Sequence, residues 1–78
     1  MDPSGIRFYR EKKGHRQADL ATHLGTNEPR MSRIETGQEI PTADEVDKLV
    51  VALGVPPPYL FSEHILSEIA NRSRRNVA

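Results

Sequence analysis

Residues 17–35, QADLATHLGTNEPRMSRIE, decide the fold. Leu20, Ala21 and Leu24 fall on one side of a helix predicted from about Gln17 to His23. Gly25 then supplies the residue able to take a positive φ at a tight turn. A second helix starts near Asn27, a good N-cap, and Pro29 is tolerated because it lies in the first turn. Met31 and Ile34 continue the apolar seam, and Gly37 ends the helix. Ala21 is small where the two helices must approach closely. The polar side presents Asn27, Glu28, Arg30 and Arg33, all able to hydrogen-bond to base edges.

Outward from this pair, helix punctuation continues and strand alternation is absent. Asp2-Pro3 reads as an N-cap with proline at the first helical position, and Gly14 as the stop. Ile6, Tyr9, Arg10 and Lys13 share a face of that first helix. Thr42 to Glu45 is a capping box behind Pro41, and Val46, Leu49, Val50 and Leu53 keep helical spacing up to Gly54. Pro56, Pro57 and Pro58 suit a cap and first turn for a fifth helix carrying Leu60 and Phe61. Phe61, Ile65 and Ile69 recur at i+4 beside Leu66, so this helix is predicted to run on to about Arg72. The expected class is all-α, with five short helices.

Composition narrows the function. The 78 residues are 36% hydrophobic and 28% charged, which suits one small globular domain. Such a domain buries only about 60% of its unfolded surface. There is no cysteine, hence no disulfide framework or thiolate metal site. The longest apolar run, Leu49–Leu53, has five residues against the ~20 of a membrane helix, and MDPSGIRFYR has no apolar signal core. A cytoplasmic location is expected.

The formal net charge is zero but unevenly spread. Residues 1–37 hold seven Lys/Arg against five acids; residues 38–61 hold Lys48 against Glu39, Asp44, Glu45 and Asp47. Arg72, Arg74 and Arg75 make the end basic again. His15, His23 and His64 have no metal-ligand spacing, no glycine-rich phosphate loop is present, and no nucleophile motif surrounds any serine. No catalytic residue, metal or cofactor is expected.

Two helices joined by a short glycine turn form the helix-turn-helix pattern, which an ordinary αα-hairpin shares. The residues quoted, with Arg7, Arg10, Gly14, Gln17, Ser32-Arg33-Ile34-Glu35, Gly37, Pro41, Leu49, Leu53-Gly54-Val55 and Leu60-Phe61, resemble the Cro/phage-repressor (XRE-type) helix-turn-helix family from Ile6 to Phe61. The resemblance implies a repressor-like DNA-binding domain over 1–61 and a C-terminal helical extension over 62–78. It implies that Gln17 holds a phosphate and helps position the helix that follows, that Asn27, Glu28, Pro29, Arg30 and Arg33 face the major groove, and that Arg16, Thr36 and Gln38 flank it at phosphates. Arg10 and Glu35 match a structural ion pair of that family. Lys13 and His15 depart from it, standing where it often has apolar residues; Pro29 stands where many members are polar.

The apolar stripe Phe61, Ile65, Leu66 and Ile69 exceeds what a complete five-helix core is expected to bury, and is read as a homodimer contact. A dimer would double the phosphate contacts and read two half-sites on double-stranded DNA. The expectation is a dimeric repressor at a palindromic operator. The rival is a protein-interaction module, such as an antitoxin or antiactivator, with DNA binding secondary.

Overall fold

The computed structural model describes residues 5–75, with side chains to Arg72. The expected Asp2-Pro3 cap and the side chains of Arg74 and Arg75 lie outside the described residues. Six helices follow one another: α1 (Gly5–Lys12), α2 (Gln17–Leu24), α3 (Glu28–Glu35), α4 (Ala43–Leu53), α5 (Pro57–Leu60) and α6 (Glu63–Arg75). No strand occurs among the described residues.

Local chemistry sets the boundaries. At the end of α2, Gly25 has φ 76°; its N–H donates to Thr22 O at 3.0 Å, and Thr26 N–H donates to Ala21 O at 2.9 Å. That crossed pair satisfies the last carbonyls and turns the chain into α3. Asn27 Oδ1 accepts from Arg30 N–H at 2.9 Å, fixing the first turn of α3. Thr42 and Glu45 cap α4 reciprocally: Thr42 N–H donates to Glu45 Oε1 at 2.8 Å, and Glu45 N–H donates to Thr42 Oγ1 at 3.1 Å.

α2 packs on α3 and α4, α1 lies against α3, α4 and α5, and α6 against α4 and α5. One core joins Ile6 of α1, Leu20, Ala21 and Leu24 of α2, Met31 and Ile34 of α3, and Val46, Leu49 and Leu53 of α4. Leu60, Phe61 and Ile69 complete it. Gly5 abuts α5 so closely that a Cβ there would stand 2.0 Å from the Tyr59 carbonyl oxygen. No buried side-chain N or O among the described residues lacks a partner.

Two expectations are corrected. The fifth helix does not run through to Arg72: it stops at Leu60, and Phe61 takes an extended conformation (φ −133°, ψ 149°). Ser62 starts a new helix, its Oγ accepting from Ile65 N–H at 3.3 Å. This break drives Phe61 into the core. Nor is the apolar stripe surplus to the core. Phe61 is 8% exposed and Ile69 9%, while Ile65 and Leu66 are half-buried against the same cluster. Within the extension, Ile69, backed by Ile65 and Leu66, therefore supplies part of the domain's own interior.

Candidate nucleic-acid interface

Helix α3 has two sides of opposite character. Met31, Ile34 and Glu35 are buried against the rest of the domain. Asn27, Glu28, Pro29 and Arg33 are exposed, as are Thr36 and Gln38 just beyond it, and Ser32 is half-buried among them. Ser32 carries the family resemblance in the sequence but is assigned no contact there, although it lies four residues after Glu28 and three after Pro29, a spacing that puts it on the same side.

The inward side is anchored by a buried ion pair. Arg10 Nε donates to Glu35 Oε2 at 2.7 Å, and Arg10 Nη2 donates to Glu35 Oε1 at 3.3 Å. Arg10 Nη1 donates to the His15 carbonyl at 3.1 Å. The guanidinium thus closes the α1–α2 turn and holds the last residue of α3. Gln17 joins the same cluster, its Nε2 donating to Glu35 Oε1 at 3.3 Å. This amide is half-buried, and through it Gln17 ties α2 to α3. Arg16 is exposed at the start of α2, where its N–H donates to Asp19 Oδ2 at 3.3 Å.

Arg30, which the family resemblance assigns to the groove, is engaged by two carboxylates. Its Nη2 donates to Glu45 Oε1 at 2.9 Å, its Nη1 to Glu45 Oε2 and its Nε to Glu39 Oε2. Glu39 Oε1 in turn accepts from Arg33 Nε at 2.9 Å. The two arginines, three apart on α3, share one carboxylate. The reason lies in position: Arg30 sits on the flank facing the acidic start of α4, where a fork of donors meets two carboxylates.

The charges respond accordingly. Hydrogen bonding to Glu45 holds the Arg30 guanidinium still more firmly protonated, against the opposing effect of burial. Burial pushes the Glu45 carboxyl up, but the bonds from Arg30 and from the Thr42 backbone outweigh it, and the net shift is downward. Glu39 is lowered by its bond from Arg33 and then by that from Arg30.

A family model described as a helix-turn-helix domain matches residues 6–60. The chain belongs to the helix-turn-helix family. No curated protein and no solved structure matches it. α2 and α3, joined by the turn at Gly25, have the arrangement of the motif's two helices. The family supports a DNA-binding regulator. The polar side of α3 suits that chemistry: Glu28 can accept from cytosine N4, Arg33 can fork onto guanine, and Pro29 can pack on a thymine methyl.

His15, Asp19, Leu20, His23 and Ala52 line an open hollow of about 340 Å³, where the His23 Nε2 lies 3.2 Å from the Lys48 carbonyl oxygen. Among the described residues no group of three or more His, Cys, Asp or Glu is placed to hold a metal ion. No described helix is long and apolar enough to cross a membrane.

Proposed function

We propose that this chain is a sequence-specific transcriptional repressor that binds a palindromic operator as a homodimer, with α3 in the major groove. One observation carries the reading. The inner and lateral faces of α3 are tied down by Glu35 and Arg30, while Glu28, Pro29, Ser32 and Arg33 stand on its open side. Arg16, Thr36 and Gln38, exposed around that side, are assigned to phosphates, which set register without carrying sequence information. A non-enzymatic cytoplasmic role goes with this reading.

Dimerisation is supported by charge. With zero net charge and Arg30 consumed internally, one protomer offers few cations to phosphates. Since Phe61 and Ile69 are core residues, Ile65 and Leu66 of α6 are the part of the stripe left for a second copy.

A second reading, docking of another protein such as a toxin, is favoured by two exposed aromatic rings. Phe8 is 56% and Tyr59 58% exposed, and both stand beside Tyr9. Selection of bound duplexes from a random pool separates the two. The DNA reading expects a two-fold symmetric sequence with half-sites about one helical turn, ~34 Å, apart. Binding weaker than about 100 μM to every duplex at about 50 mM salt would sink it.

A further inference from the structure

Glu39 lies outside the reading helix, in the connection to α4, yet it holds Arg33 twice. Its backbone N–H donates to the Arg33 carbonyl oxygen at 3.2 Å, and its Oε1 accepts from Arg33 Nε at 2.9 Å. The carboxylate cannot swing freely, because Arg30 Nε binds its other oxygen and Arg30 is itself fastened to the capping residue Glu45. A line of charge-assisted hydrogen bonds thus runs from the first turn of α4 to the exposed edge of α3. At its end, the Arg33 Nη1 and Nη2 groups make no hydrogen bond to any described residue.

An arginine has five N–H donors in a rigid planar fork. With Nε occupied by a carboxylate, the side-on edge is taken and the end-on pair Nη1/Nη2 is presented. That pair matches guanine O6 and N7. A free arginine side chain is rich in rotamer entropy, and a buttressed one has already lost part of it before DNA arrives. The carboxylate also repels the exposed acceptor edges of bases when the arginine is not between them.

We propose that Glu39 is a specificity-determining positioning residue, which orients Arg33 end-on for guanine and thereby sets the base preference at one position of each half-site. The proposal rests on the reading of α3 as the groove-facing helix. Glu39 itself touches no base.

The test is a binding series on the selected operator and on variants with the Arg33-facing base pair changed, for wild type, Glu39→Ala, Glu39→Gln, Arg33→Ala and the double variant Arg33→Ala/Glu39→Ala. A good bidentate contact supplies about 5- to 150-fold discrimination between bases. Arg33→Ala is expected to abolish that preference. Glu39→Ala should lower it by about fivefold, Glu39→Gln should keep more of it, and adding Glu39→Ala to Arg33→Ala should change it no further. The salt dependence of binding should stay constant across the two Glu39 variants, because phosphate contacts are untouched. A Glu39→Ala protein with undiminished guanine preference overturns the proposal, as does an equal Glu39 effect in the Arg33→Ala background. An Arg33→Ala protein with unchanged base preference overturns the reading of α3 and the role of Glu39 with it.

Discussion

Arg30 Nη2 lies 2.9 Å from Glu45 Oε1, so a side chain that the helical pattern places beside the proposed base contacts is fastened to the first turn of α4. Glu45 thereby caps α4 and anchors α3 at once. Removing the arginine leaves a largely buried carboxylate with only the Thr42 backbone to offset its charge.

Arg30→Met is therefore expected to cost about 3 kcal/mol, close to the lower end for breaking a buried pair, since Arg30 is partly exposed. Its effect on base preference should be no larger than that of Glu39→Ala, since it loosens the Glu39 carboxylate without removing it. Urea unfolding reports the first quantity, and an unchanged midpoint would place the pair among surface ion pairs.

Acid should act on the same cluster. Glu39 and Glu45 are both lowered in the folded state from an ordinary value of 4.5, so the unfolded chain binds more protons than the folded one as pH falls below that value. The stabilisation is fully present above the unfolded pKa and drains away as pH falls through the folded ones. Between about pH 5 and pH 3, wild type should lose more thermal stability than a variant carrying Arg30→Gln, Glu39→Gln and Glu45→Gln. Parallel melting curves in the two proteins would contradict the assignment.

Arg10 and Glu35 are 9% and 4% exposed, and their pairing joins α1, the α1–α2 turn and α3. Arg10→Ala strands Glu35 with only Gln17 beside it and should cost about 3–5 kcal/mol, a large share of a small domain's stability. Arg72→Ala, at an exposed position of α6, serves as the control and should change little. Equal melting midpoints for the two would deny the pair its role.

In α6 the prediction divides the apolar stripe. Ile69→Asp puts a charge into the protomer core and should unfold the chain. Ile65→Asp with Leu66→Asp, at half-buried positions, should leave a folded protein that sediments as a monomer and binds the operator weakly. A wild type that is monomeric at micromolar concentration removes α6 from any interface.

What was legible in the sequence was local. Asn27, Gly25, Thr42 and Glu45 act within a turn of themselves, and the apolar seam of Leu20, Ala21, Leu24, Met31 and Ile34 is periodic, so α2, α3 and α4 were found near their true limits. Arg10 and Glu35 were paired only through family resemblance, because no spacing rule joins residues 25 apart. For the same reason Glu39 and Glu45 went unseen as partners of Arg30. The break at Phe61 was hidden by a pattern that continues through it: Phe61, Ile65 and Ile69 keep helical spacing across a residue that is extended. Ser62 was the overlooked signal.

The approach of Gly5 to the Tyr59 carbonyl has a kinetic consequence. α2, α3 and α4 are contiguous in the chain and can associate early, whereas seating α1 on α5 requires closing a loop that spans most of the domain. That closure is expected late on the folding route, after the transition state. An alanine at position 5 would wedge the two helices apart, and the strain would appear chiefly as faster unfolding, with refolding from urea nearly unchanged in stopped-flow traces. A slowed refolding arm would instead make the α1–α5 seam part of the nucleus. On that route the first helix would act as a latch over α2, α3 and α4, closed last and opened first.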